Sequence, residues 1–153
     1  LIGEKETGKE NYTATFDVPY EPGTLKAVNS KGKEEFVLKT AGEPAAIRLI
    51  ADRSKIKACK NDLSYVKIEL VDKNGNVVPE TSLPVKIECT GKGTVIAGGN
   101  AAYADMESFR SLTPNTFRGK AIAIVQPDGE KGDIQVKVST KGLEDASIVI
   151  TTY

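Results

Sequence analysis

The chain has 153 residues with 21 basic and 21 acidic side chains, and it contains neither histidine nor tryptophan. Zero net charge removes the usual basis for nucleic-acid binding, because phosphate contacts need a basic excess on some face. Missing imidazole removes every Ser-His-Asp or Cys-His arrangement and any zinc site that depends on histidine. With 39% hydrophobic and 27% charged residues the composition is that of a globular chain. No apolar run approaches the roughly 20 residues of a spanning helix, so no membrane insertion is expected. The first residues, Leu1-Ile2-Gly3-Glu4-Lys5, carry neither an initiator Met nor a cleavage pattern, and the expectation is a chain cut from a longer protein, the alternative being that processing removed a signal peptide.

Strand signals follow one another along the chain. Residues 12–18 alternate and end at Pro19, and short strands are predicted over 24–28 and 35–39 across the turn Ser30-Lys31-Gly32-Lys33. Residues 46–51 alternate next. In 63–71, Val66, Ile68 and Leu70 face one way while Lys67 and Glu69 face the other. Asn74-Gly75 reads as hairpin turn chemistry. Strands then follow over 85–89, 94–97, 120–125, 134–138 and 146–152, and only 105–112 suggests as much as one helical turn. Strands spaced about 8 to 12 residues apart predict an all-β, immunoglobulin-like β-sandwich. Residues 98–116 are too long for a plain connection and imply packing or function. A boundary is expected at Thr40-Ala41-Gly42-Glu43-Pro44. It makes 43–153 a complete sandwich and leaves 1–42, with about four short strands that bury little core, as either the tail of a preceding domain or an extra sheet packed on the sandwich.

Each motif that carries chemistry has a plainer reading. Asp72, Asn74 and Asn76 mimic the opening of a calcium loop, but Val77 and Leu83 stand where that loop wants Gly and an acid, so a turn is expected. Gly91-Lys92-Gly93-Thr94 lacks the first glycine and the strand-to-helix context of a phosphate loop. Asn11-Tyr12-Thr13 matches the glycosylation pattern, which chance produces often. Asp105 with Glu107 in the long segment, and Asp128 with Glu130 in a later loop, are the carboxylate pairs that a glycosidase would need, and the Gly, Pro and Lys around Asp128 and Glu130 mark that pair as ordinary turn residues. Tyr103 and Phe109 are the one pair suited to a sugar platform. The competing expectation is that Phe109 and Phe117 pin the loop to the sandwich. Cys59 and Cys89 stay open between free thiols and a disulfide. No catalytic, cofactor-binding or metal-ligating residue is assigned, and no cofactor is expected.

The stretch Val18-Pro19-Tyr20-Glu21-Pro22-Gly23-Thr24-Leu25-Lys26-Ala27-Val28 resembles the closing strands of the immunoglobulin-like domain after the catalytic barrel in bacterial glycoside hydrolase family 2 enzymes. Those enzymes are chiefly β-galactosidases of the Bacteroides type. Leu38-Lys39-Thr40-Ala41-Gly42-Glu43-Pro44-Ala45 resembles the junction to the next domain. Ile47-Arg48-Leu49-Ile50-Ala51-Asp52-Arg53, Asp62 through Asp72, and Gly75-Asn76-Val77-Val78-Pro79 resemble the C-terminal immunoglobulin-like domain. Ser108-Phe109, Phe117-Arg118-Gly119-Lys120-Ala121 and Val125-Gln126 continue the likeness over nearly the whole chain.

The resemblance implies the end of a longer exported, periplasmic enzyme of a Gram-negative bacterium. On that reading 1–42 is the C-terminal part of a preceding sandwich, and the barrel with its catalytic glutamates lies elsewhere. The chain's partners are then the catalytic and other domains of its parent. The sequence departs from the pattern at Asn100, which is followed by Ala101-Ala102. An immunoglobulin-like topology also places Cys59 and Cys89 at one end, which admits a disulfide. The expected function is a non-catalytic accessory module that supports or positions the catalytic part. The alternatives are a carbohydrate-binding module using 98–116 for a weak glycan contact, and an invasin-like adhesin spacer.

Overall fold

The computed structural model describes residues 1–7, 12–30 and 32–153. Two compact units are present, Leu1–Thr40 and Ala41–Tyr153. Asn11 and Lys31, which fall in the expected glycosylation pattern and first turn, lie outside the described residues.

The first unit contains one antiparallel hairpin, β1 (Thr24–Val28) with β2 (Glu35–Lys39). The register sets Leu25 opposite Leu38 and Ala27 opposite Phe36, so one face is apolar. The other face carries the Lys26–Glu35 ion pair. Residues 12–18 form no strand, contrary to their alternation. Alternation marks which side chains share a face, but a strand also needs a neighbour to bond its backbone. Here the neighbour is a side chain: Lys5 Nζ donates to Thr15 O at 2.5 Å and lies 5.1 Å from the centre of the Phe16 ring.

The second unit is a sandwich of two four-stranded sheets. β3 (Ala46–Ala51), β5 (Ser64–Val71), β8 (Lys120–Pro127) and β7 (Gly93–Gly99) form one sheet in that order. The other runs β4 (Lys55–Ile56), β10 (Ala146–Thr152), β9 (Gly132–Ser139), β6 (Lys86–Gly91). The inward residues of both sheets make a single core. Val66, Ile68 and Leu70 of β5 meet Ala123 and Val125 of β8, with Ile134, Val136 and Val138 of β9 and Ile150 of β10 opposite. A fully buried Ile or Leu of this kind contributes about 1.5–3 kcal/mol relative to its exposed state.

Two devices close the open sides between the sheets. On one side the first strand changes sheets: β3 pairs antiparallel with β5, and after residues 52–54 the chain continues as β4, parallel to β10. This two-residue strand is too short to show periodicity and was not legible in the sequence. The Asp52 carboxylate fixes the switch by accepting from the Tyr65 and Arg53 amides at 2.7 and 2.8 Å. Arg53 in turn holds Asp62 at 2.6 Å. On the other side, β6 passes to β7 through Lys92 alone. Gly91 sits at φ +97, where a Cβ would lie 2.1 Å from Asp133 O, so only glycine fits the corner.

Candidate functional site

Residues 98–116 carry most of the chemistry anticipated for this chain, and their backbone is laid along the edges of both sheets. Gly98 N, on the free edge of β7, donates to Phe109 O at 2.8 Å. Ile87 N of β6 and the adjoining Val85 N donate to Leu112 O and Pro114 O at 2.8 and 3.0 Å. The segment thus satisfies amides that the ladders leave unpaired, and it covers edges that would otherwise be open to another chain. No helical turn forms in 105–112. The segment is a series of short turns braced by Ser108 and Ser111 side chains.

Asn100 organises the loop from its start. Its Nδ2 donates to Asp105 Oδ2 at 2.6 Å and to Asn115 O at 2.9 Å, and its Oδ1 accepts from Ala102 N at 2.8 Å. The sequence singled out Asn100 only for the alanines after it. Its reach to Asn115 spans 15 residues, and no local pattern announces that. The C-terminal end is tied by Thr116, which is buried and accepts the Leu83 amide at 2.9 Å.

The first carboxylate pair is part of this bracing. Asp105 Oδ1 accepts from Glu107 N at 2.9 Å, and Glu107 Oε1 accepts from Asn115 Nδ2 at 3.2 Å. The Glu107 amide, followed by the Asn100 side chain, holds the Asp105 carboxyl below the usual carboxylate range. A general acid requires the opposite shift. The second pair is turn chemistry between β8 and β9: Asp128 Oδ1 accepts from Glu130 N at 2.8 Å, and Glu130 forms an ion pair with Lys92.

The expected pinning is met in part, by the contact of Phe109 with Gly99 of β7 and not by burial of either ring. Phe109 is 71% exposed and Phe117 half-buried. The Phe109 ring lies close enough to Gly99 that a Cβ there would stand 2.8 Å from its Cδ1, so the contact replaces a side chain. Tyr103 is 99% exposed. The cavity beneath, lined by Gly99, Asn100, Asp105, Glu107 and Phe109 among others, measures about 30 Å³. That volume suits a water or two, against the ~300 Å³ and more of small-molecule pockets.

Asp72 closes the turn that mimicked a calcium loop. Its Oδ1 accepts from Asn74 N and Asn76 N at 2.9 and 2.8 Å. Its Oδ2 accepts from Gly42 N at 2.9 Å and Asn76 Nδ2 at 3.0 Å. Led by the Gly42 amide and the Asn76 side chain, these donors lower its pKa to about 2. A carboxylate so occupied has no lone pairs left for a cation. The turn is stapled from above by Arg48, which donates to Gly75 O and to the buried Glu69, both at 2.9 Å. Gly91-Lys92-Gly93-Thr94 is the sheet-to-sheet corner and packs on the core: a Cβ on Gly93 would meet Ile134 at 2.5 Å. Cys59 and Cys89 are free thiols, the first exposed and the second half-buried, so the disulfide alternative is not realised in this structure. Among the described residues no helix is long and apolar enough to cross a membrane.

Comparison with known proteins assigns this arrangement to a family. Residues 47–149 match the glycoside hydrolase family 2 C-terminal domain 5. Residues 1–36 match a domain of unknown function, DUF4982. A β-galactosidase of Bacteroides ovatus is 32% identical over 97% of this chain, and one of Thermoanaerobacter pseudethanolicus is 30% identical over 75%. The matches span only 18% and 16% of those relatives. The crystal structure of a glycosyl hydrolase family 2 member from Bacteroides cellulosilyticus superposes with a TM-score of 0.88 at 37% identity. It does so over 98% of this chain and 21% of its own. The D00-D0 domain of intimin, at 16% identity and a TM-score of 0.54, shares the fold alone. Over both its core pattern and its matched length, this chain belongs to the glycoside hydrolase family 2 C-terminal domain 5 family.

Proposed function

We propose that the chain is a non-catalytic accessory module at the C-terminal end of a β-galactosidase-like enzyme, where it supports or positions a catalytic part lying outside these residues. The observation that carries this reading is the use made of the acidic side chains. Asp72, Asp105, Asp128 and Glu130 are each spent on turn donors or an ion pair, and none faces a cleft of substrate size. The relatives' names supply the activity of the parent, and the chain's length, about a fifth of theirs, supplies its place as one module among several.

Residues 1–42 are read as the end of a preceding sandwich. Leu25, Phe36 and Leu38, on the apolar face of the hairpin, are 42%, 67% and 54% exposed. A hairpin with one apolar face needs further strands or a second sheet to cover it. Export to the periplasm is part of the same proposal. The isolated chain should show no turnover of chromogenic galactosides, while the natural polypeptide that contains it hydrolyses them. Turnover by the isolated chain that survives repurification would overturn the reading.

A further inference from the structure

The two sheets of the sandwich differ on their outer faces. On β6 and β9 that face carries Lys86, Glu88, Gln135 and Lys137, all exposed, as expected where an antiparallel sheet meets water. The outer face of the β3-β5-β8-β7 sheet has an apolar centre instead, bordered by the row of Arg48, Glu69 and Lys120. The register sets Ile50, Lys67, Ile122 and Gly99 in one row and Tyr65, Ile124 and Ala97 in the next. Phe109 lies over Gly99 and so completes the first row. A register shift between Val95 and Ala97 adds Ile96, 39% exposed, beside the second. A bulge doubles the residues opposite one partner. Here Val95 and Gly98 still point inward, so both Ile96 and Ala97 fall on the outer side facing Ile124.

We infer that this face, formed by Ile50, Tyr65, Ile96, Phe109, Ile122 and Ile124, docks a domain of the parent polypeptide that lies outside residues 1–153 and presents an apolar surface with a carboxylate opposite Lys67. The inference rests on the reading of the chain as one module of a longer enzyme; the relatives extend about fivefold beyond it. The charge of the face selects the occupant. Arg48 is neutralised by Glu69 at 2.7 Å, which leaves Lys67, inside the first row, and Lys120 at its margin as the cations of the patch. Two copies pressed face to face would bury both Lys67 side chains while Glu69 is already taken by Arg48, and a desolvated, unpaired charge is costly. A glycan would find four isoleucines that offer its hydroxyls no hydrogen bond.

Hydroxyl-radical footprinting of the natural polypeptide beside the isolated chain tests this. Tyr65 and Phe109 should be labelled roughly tenfold more slowly in the parent, as in a water-excluding interface. Carbodiimide should also link Lys67 to a carboxylate outside residues 1–153. Equal labelling in a parent that hydrolyses galactosides would overturn the docking face and leave the module reading standing. A natural polypeptide with no glycosidase domain would overturn the module reading itself. Protection that appears in the isolated chain with rising concentration, or only on adding galacto-oligosaccharide, would assign the face to a second copy or to a glycan and so overturn the occupant.

Discussion

Replacing Asn100 by alanine separates the long loop's role as an edge cover from any role in ligand binding. The substitution removes the bonds to Asn115 O and from Ala102 N, and it takes the donor from Asp105 Oδ2 while the Glu107 amide still holds Oδ1. At about 1 kcal/mol for each of the two backbone bonds, the closed loop loses about 2 kcal/mol relative to an opened one. That corresponds to a roughly thirtyfold rise in the population of the open loop. The amides that report it are Val85, Ile87 and Gly98, because their acceptors are Pro114, Leu112 and Phe109 of the same segment. Native-state hydrogen exchange should show these three speeding up by about that factor. Amides in the β5–β8 ladder, which bond strand to strand, should keep their rates. Unchanged exchange at all three would refute the edge-cover role. A uniform increase across β5 and β8 would show that Asn100 acts on global stability instead.

Three further outcomes follow from the geometry. The Asp72 carboxyl is held at about 2, below its ordinary value of 3.8, so its contribution is complete above pH 3.8 and is lost as the pH falls towards 2. Acid titration of Asp72→Asn should lack that part of the slope, and an identical acid limb in both proteins would contradict the clamp. Gly91→Ala combines a strained φ with a Cβ 2.1 Å from Asp133 O, whereas Gly129→Ala at φ +107 meets nothing within 4 Å. Strain alone costs about 1–3 kcal/mol, so urea denaturation should show a larger loss at Gly91, and equal losses would mean the corner contact contributes nothing. Thiol titration should find two free sulphydryls, with Cys59 reacting first because burial pushes the Cys89 thiol up and depletes its thiolate. Fewer than two thiols in the denatured, unreduced protein would reveal a disulfide.

The sequence by itself determined every strand of the sandwich but the two-residue β4. In β5 and β9, alternation is imposed by burial of one face and a pattern of period two is visible within eight residues, while β8 announces itself by a nearly continuous apolar run. It also determined the family, because a resemblance is read from residue order and needs no coordinates. Tertiary structure decided what alternation cannot encode. Residues 12–18 alternate yet form no strand, whereas Lys55–Ile56 carry no pattern and become a strand because β10 is already in place to pair with them. The loop was legible in its length alone. That it seals the edges of β6 and β7, and that Asn100 binds across 15 residues to do so, depends on contacts between segments distant in the chain. The apolar outer face belongs to the same class. Each isoleucine is unremarked within its own strand, and only the register of four strands sets them side by side.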